Sequence, residues 1–210
     1  MRMLRLLLPT AVFAASLSFA ADPNPAQAGF NHAESDAKAI AIADATMAAM
    51  GGRKAWDETR HITWRFFGNR LHVWDKYTGA HRFENKDLTV LSNIKTGSGR
   101  AWRDGVEITG AAALSEAVSA AKGAWINDAY WLVMPYKLKD TGVTLKYVGE
   151  QADPAGAMSD VLQLTFQGVG RTPDNKYHVF VNQATGLVSH WLFWPKFTDA
   201  ESRDLGPWTD

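Results

Sequence analysis

The sequence predicts an α+β protein in which antiparallel strands make up most of the fold. Two observations lead to this class. Runs of strands follow each of two helical stretches, and short turns join the strands. Helices and strands do not alternate one by one, as they would in a doubly wound parallel sheet. Because no biased tract or linker divides the chain, we expect one domain over residues 34–197.

Residues 1–20 have the pattern of a cleaved signal peptide. Two arginines precede an apolar run that ends at Phe19, and the small residues Ser18 and Ala20 suit a cut after Ala20. The apolar run is shorter than the roughly 20 residues that a helix needs to span a bilayer. We therefore expect export through the membrane and a soluble mature chain without a transmembrane segment.

The composition narrows the compartment and the partners. The chain contains 0 cysteines, which removes disulfides, thiol nucleophiles and cysteine metal sites and favours a bacterial periplasm over a eukaryotic secretory route. It has 22 basic and 22 acidic residues, so it lacks the positive charge by which proteins bind nucleic acid. The same balance argues against adsorption to an anionic membrane surface.

The first half of the mature chain predicts a helix followed by strands. Residues 21–33 are rich in Pro, Asn, Gly and Ala and indicate a flexible lead-in. Apolar residues then recur at helical spacing from 34 to 50, before Gly51-Gly52, and 53–58 add one further turn. Aromatic and β-branched residues separated by Gly, Asn and Asp predict five strands, at 61–68, 70–77, 80–85, 87–94 and 99–104.

The second half repeats this order. A helical stretch covers 111–132, with Gly123 as a candidate break, and Pro135 closes it. Four strands follow, at 143–150, 159–166, 176–182 and 187–194. Residues 198–210 are interpreted as a tail.

Several strands carry large apolar side chains on both faces. In the last predicted strand, Trp191 and Phe193 share one parity while Leu192 and Trp194 share the other. Both faces of the sheet must then be at least partly covered, either by helices or by curling around a cavity. The many tryptophans would fill such a core or line an apolar ligand cavity, and the sequence leaves both readings open.

The sequence shows no pattern typical of a catalytic or metal site. No histidine spacing matches a zinc site, and no nucleophile elbow, phosphate loop or dinucleotide fingerprint occurs. We therefore expect a non-catalytic protein without metal or cofactor. His61, His72 and His81 fall on three consecutive predicted strands, so a pair of them can be neighbours across the sheet.

Three segments resemble an uncharacterised branch of the LolA/LolB-like superfamily of periplasmic lipoprotein-localisation factors. They are MGGRKAWDETRHITWRFFG (50–68), YWLVMPYKLKDTGV (130–143) and LTFQGVGRTPDNKYHVFVN (164–182), within a region of resemblance from Ala37 to Trp194. The resemblance implies a strongly curved antiparallel sheet, an incomplete barrel, with helices over its open face. Relatives of this type are expected to continue with further strands after Trp194. The tail therefore suggests either missing strands or a shorter sheet.

The resemblance also implies a function. Carriers of this superfamily hold lipoprotein acyl chains between sheet and helices, so the leading hypothesis is a carrier or binder of an acyl chain, lipoprotein or other apolar ligand. Candidates for the cavity wall are Trp64, Phe66, Trp74, Trp131, Phe180 and Trp191. Lys137 and Lys139 are predicted to alternate outward, where they would reach lipid phosphates at the rim.

Two alternatives remain from the sequence. The first is a periplasmic hydrolase with a converging Asp, Glu or His set on the concave face of the sheet. The second is a module that binds another envelope protein through a sheet edge or an aromatic patch. The first would require a polar cluster in a pocket, and the second a continuous exposed aromatic surface.

Overall fold

The computed structural model describes residues 22–170 and 172–207. The predicted signal peptide lies outside these residues. In the part described, no helix is both long enough and apolar enough to cross a membrane.

The described residues form three α-helices and eleven strands, nine of them the predicted strands in the predicted order and two, β6 and β11, not predicted. The helices are α1 (Ala37–Ala49), α2 (Gly52–Glu58) and α3 (Ala111–Val133), with 3-10 turns at His32–Glu34 and Met134–Lys137. Gly51, at φ 97°, separates α1 from α2, where a left-handed backbone favours glycine. Gly123 does not break α3, because its helix penalty of about 1 kcal/mol is small beside the packing of the buried face.

The first six strands form an antiparallel meander, sheet 1, in the order β1 to β6. Their bounds are β1 His61–Phe66, β2 Arg70–Asp75, β3 Ala80–Asn85, β4 Leu88–Asn93, β5 Gly99–Arg103 and β6 Val106–Glu107. Trp64, His72, Phe83, Val90 and Ala101 lie side by side across this sheet. The last three pack with the small residues of the first half of α3.

The remaining strands form a second antiparallel meander, sheet 2, in the order β7 to β11. Their bounds are β7 Val143–Ala152, β8 Met158–Phe166, β9 Lys176–Asn182, β10 Val188–Trp194 and β11 Arg203–Pro207. Leu145, Leu162, Leu164 and Val179 are fully buried beneath α1 and the end of α3. Val161 and Phe180 are buried on the opposite face, so both faces of this sheet are covered at that point.

The predicted class is confirmed: the protein is α+β, with antiparallel strands and helices packed on them. The strands are divided between two sheets because β6 is followed by α3 and not by a further strand. α3 contacts both sheets, the first through Ala117, Val118 and Ala121 and the second through Tyr130 and Trp131.

The two end segments have defined partners. Within the predicted lead-in, the amide of Gln27 donates to the Lys139 carbonyl (3.0 Å) and the amide of Asn31 donates to the Val143 carbonyl (3.1 Å). The predicted tail contributes β11, which pairs with β10. The sequence pattern did not reveal β11, because Arg203–Pro207 contains a charged pair, Gly and Pro and lacks the β-branched residues typical of strands.

We expect Gly142→Ala to destabilise the protein more than Gly156→Ala. Both glycines have a left-handed φ (74° and 89°), whose strain is about 1–2 kcal/mol for a residue with a Cβ. At Gly142 the added Cβ would lie 2.6 Å from the Gln167 carbonyl oxygen, whereas at Gly156 nothing lies within 4 Å. Urea unfolding should therefore show a loss above about 2 kcal/mol for Gly142→Ala only. Equal losses of unfolding free energy in the two variants would contradict the close approach of Gly142 to the Gln167 carbonyl oxygen.

Candidate functional site

The second half of α3 forms one wall of a pocket. Its last three turns carry Trp125, Ala129, Tyr130, Trp131 and Val133, all of which line the pocket. Trp125, Tyr130 and Trp131 are half-buried, and small Ala129 leaves room beside these large rings.

Sheet 2 supplies the opposite wall. Phe166 at the end of β8 and Tyr177 at the start of β9 both line the pocket. The Tyr130 ring meets them with centroid distances of 5.9 Å to Phe166 and 6.1 Å to Tyr177. Burial raises the pKa of Tyr130 well above its usual value, so its hydroxyl stays neutral.

Sheet 1 and α2 contribute two further tryptophans. Trp74 of β2 meets Trp125 edge to face, with centroids 5.0 Å apart. Trp56 of α2 lines the pocket and stacks on Tyr136 at 4.5 Å, while the Lys76 ammonium lies 3.5 Å from the Trp56 ring centroid. The pocket is therefore built from four different parts of the fold.

We call this space the aromatic pocket. Its volume is about 330 Å³. Ligand sites commonly measure roughly 300–1,000 Å³, so it lies at the small end of that range. Polar residues also line it, namely an ion pair between Lys137 and Asp140 together with Asn127, Thr141, Thr172 and Asn175.

Three of the residues chosen from the sequence line the aromatic pocket: Trp74, Trp131 and Lys137. Trp191 lies directly behind it, edge to face with Trp131 (4.9 Å) and stacked on Tyr177 (5.2 Å). Phe66 contacts Trp131 from the side of β1, with centroids 6.1 Å apart.

Trp64 and Phe180 lie elsewhere. Trp64 stacks on His72 within sheet 1, with centroids 4.5 Å apart. Phe180 pairs with Val161 across sheet 2, whereas Tyr177 and Val179 belong to the core on the helix side. Because side chains alternate along a strand, Phe180 points away from the aromatic pocket.

Lys139 does not alternate outward with Lys137, as the sequence suggested. Its side chain is 6% exposed, and its ammonium lies 2.5 Å from the Asp44 carboxylate and 3.7 Å from that of Asp22. The prediction was wrong for this residue because Leu138 and Lys139 follow the 3-10 turn Met134–Lys137, where strand alternation does not apply.

Sequence reasoning missed several residues of the pocket wall: Trp56, Trp125, Tyr130, Phe166 and Tyr177. One signal was available, since Trp125, Tyr130 and Trp131 crowd one end of an otherwise alanine-rich helix. Phe166 and Tyr177 line the pocket because of the way in which sheet 2 packs against α3. The residue pattern of a single strand does not encode that packing.

A buried polar cluster lies next to the pocket, and we call it the histidine network: Arg70, His72, His81 and Asp128. The Arg70 guanidinium donates two hydrogen bonds to the Asp128 carboxylate, at 2.6 and 2.9 Å. His72 joins Asp128 through Nε2 (2.9 Å) and His81 through Nδ1 (3.0 Å). The suggested pairing of neighbouring histidines across the sheet is thus confirmed for His72 and His81.

The pKa values of Asp128 and His81 are shifted by their surroundings. Burial alone would raise the pKa of Asp128, but hydrogen bonds from His72, Arg70 and Asn127 outweigh it and lower that pKa below its usual value. Burial, together with the nearby His72, lowers the pKa of His81 to about 4. With Asp128 ionised, His72 donates to it from Nε2.

The network does not open into the aromatic pocket. Asp128 and His72 are fully buried, and the pocket is lined by the helix neighbours of Asp128, Asn127 and Ala129, but not by Asp128. Within the described ranges, no group of three or more His, Asp or Glu side chains is placed to hold a metal ion. The network therefore fixes α3 on β2, and of its four members Arg70 is the one that is partly exposed, at 31%.

Comparison with known proteins does not identify a family for this chain. No protein-family model matches the chain, and no curated protein matches it in sequence. Among solved structures the chain is similar to the crystal structure of MucB, at 18% identity over 81% of this chain and 56% of that chain, with a TM-score of 0.30. At this TM-score the likeness supports neither a family assignment nor a function.

We expect acid to destabilise the protein between about pH 6.5 and pH 4. Burial lowers the pKa of both His81 and His178 to about 4, so the unfolded chain binds more protons than the folded one in this range. Each histidine contributes a slope of at most about 1.4 kcal/mol per pH unit. Urea unfolding across this range should show a smaller slope for His81→Gln than for the unaltered protein. An unaltered slope in His81→Gln would contradict the assigned burial.

Proposed function

We propose that the protein is an exported, non-catalytic binding protein that holds one apolar chain, such as a single acyl chain, in the aromatic pocket. The observation that carries this proposal is the pocket itself, which has a volume of about 330 Å³ and lies between α3, Trp74 and sheet 2. The export signal and the resemblance to periplasmic carriers, both inferred from the sequence, agree with it.

The pocket wall favours an apolar ligand. Trp56, Trp125, Trp131, Phe166 and Val133 present rings and aliphatic carbon to the space. Removing apolar surface from water contributes roughly 25 cal/mol per Å², so a hydrocarbon chain gains free energy wherever it covers these side chains. Aromatic walls also keep their shape, because each ring has few rotatable bonds to fix on binding.

The volume favours one chain over several. A pocket at the small end of the ligand-site range has room for a single slender chain or a small molecule, whereas a multiply acylated lipid would need more space. We therefore prefer a monoacyl ligand, or one acyl chain of a larger lipid whose remainder stays outside, near Lys137 and Asp140.

A hydrolase is the less favoured function. A general base must come within hydrogen-bond reach of the substrate, but His72 and Asp128 are fully buried, where they bond to each other and Asp128 also accepts from Arg70. In the described chain these are the groups that most resemble an acid–base set, and they are absent from the pocket wall. A role in binding another envelope protein has less support, because exposed apolar residues such as Phe67, which follows β1, and Val106, on β6, lie at opposite edges of sheet 1.

We expect Ala129→Leu to lower the affinity for an acyl ligand by about tenfold or more. The three added carbon atoms would occupy pocket space beside Tyr130, and forcing extra carbon into a packed space costs about 1–3 kcal/mol. Four pocket tryptophans (Trp56, Trp74, Trp125 and Trp131) make intrinsic fluorescence a direct measure of binding by the full chain, with decanoic acid as the probe.

The matched control is Ala120→Leu, which adds the same atoms on an exposed position of the same helix. It should bind decanoic acid like the unaltered protein, with the same unfolding midpoint. No saturable fluorescence change in the unaltered protein, or equal affinities in the two variants, would argue against the aromatic pocket as the site.

A further inference from the structure

One ion pair supplies the charge of the aromatic pocket. In the described part of the wall, Lys137 and Asp140 are the two charged residues, and they pair with each other. Their side chains are 34% and 27% exposed, so a ligand can reach both of them. The other residues of the wall are apolar, aromatic or neutral and polar. A ligand in the pocket therefore meets formal charge at this pair.

Backbone hydrogen bonds hold the pair in place. Lys137 ends the 3-10 turn Met134–Lys137, and the Asp140 amide donates to the Lys137 carbonyl at 3.1 Å. Two residues further on, the Gly142 carbonyl accepts from the Gln167 amide at 2.9 Å, which joins this segment to the loop between β8 and β9. The positions of the two charges are thus set by the fold before a ligand arrives, which lowers the entropy cost of binding.

The Asp140 carboxylate lies close to the pocket wall. Burial is the main cause that raises the pKa of Tyr130, and electrostatic interactions with Tyr177 and Asp140 add to it. Tyr130 and Tyr177 both line the pocket, with ring centroids 6.1 Å apart. The charge of Asp140 therefore acts on the aromatic part of the wall, so a chain on these rings and a head group at Asp140 belong to one site.

The neighbouring charges are engaged elsewhere or lie outside the wall. The Lys139 ammonium is held by Asp44, and the Lys76 ammonium lies over the Trp56 ring and bonds to the Trp56 carbonyl. Asp174 is exposed on the loop between β8 and β9 and is not one of the residues that line the pocket. The wall thus presents one positive and one negative group side by side.

Two opposite charges at one place discriminate between head groups by their charge pattern. An anion attracted by Lys137 is repelled by Asp140 at a similar distance, so the two contributions largely cancel, and the same holds for a cation with the signs reversed. A zwitterion gains twice, because its anion lies beside Lys137 while its cation lies beside Asp140. Both side chains have capacity for these contacts, since an ammonium has three donors and a carboxylate has two oxygens.

We propose that the aromatic pocket selects a monoacyl lipid with a zwitterionic head group, a phosphate joined to an ammonium, whose phosphate binds Lys137 and whose ammonium binds Asp140. The acyl chain covers the apolar wall, so this inference rests on the proposed function and adds the chemical class of the head group. Contacts between partly exposed charges are individually weak, so we expect a preference of about two- to tenfold over other head groups.

Titration of the full chain with three decanoyl lipids tests this through its intrinsic tryptophan fluorescence, below the concentration at which each lipid forms micelles. The probes share one acyl chain and differ in the head group. Decanoyl lysophosphatidylethanolamine is zwitterionic, decanoyl lysophosphatidylglycerol has a net negative charge, and monodecanoylglycerol is neutral. The zwitterionic lipid should bind about two- to tenfold more tightly than either of the others.

The outcomes separate the two proposals. Equal affinities for the three lipids, or tightest binding of the anionic or the neutral lipid, would overturn the head-group inference and leave the apolar site standing. If none of the three lipids binds saturably, the proposed function fails and this inference fails with it.

Substitutions assign the preference to the ion pair. Asp140→Asn removes the negative charge with little change in shape, so the zwitterionic lipid should lose its preference over the anionic one. The matched control is Glu107→Gln, which changes the net charge equally in a pair with Arg100 outside the pocket. It should keep the affinity ratio of the unaltered protein. Because the ratio compares two lipids within each variant, a general loss of stability leaves it unchanged. Equal ratios in the two variants would contradict the role of Asp140.

Discussion

The packing of α3 against two sheets at once determines most of this structure. Its first half presents Ala117 and Ala121, whose small side chains allow the helix to approach sheet 1 closely. Its second half presents large rings: Trp125 meets Trp74 of sheet 1, and Tyr130 and Trp131 pack against sheet 2. One continuous helix of 23 residues therefore closes a tight core at one end and leaves a lined space at the other. The aromatic pocket is a consequence of this change in side-chain size along α3.

The histidine network fixes where that space lies. Asp128 stands between Trp125 and Tyr130 on α3, and its bonds to Arg70 and His72 of β2 set the rotation of the helix at that turn. Removing one partner from a buried ion pair leaves an uncompensated charge, so the arrangement resists sliding. The network thus has a positioning role: it holds the walls of the aromatic pocket in register without touching the space inside it.

The class and most elements of the fold follow from the sequence because helical and strand periodicities are local. The exceptions have physical causes. β11 pairs as a strand although it lacks the β-branched residues typical of strands, and the division into two sheets depends on the path of α3. Within the site, Trp74 and Trp131 could be identified as large rings on predicted elements. Phe180 could not be excluded and Tyr177 could not be selected, since face assignment depends on the exact register. Lys139 shows the same difficulty, because a 3-10 turn changes the direction of each following side chain.

Native mass spectrometry of the full chain with methyl decanoate tests the central claim most directly, because it counts ligands on each molecule. One pocket of about 330 Å³ predicts one adduct per chain that saturates as the ester concentration rises. The absence of any adduct, or a ladder of adducts that grows without saturation, would contradict the claim that α3 and sheet 2 enclose a specific site for one apolar chain.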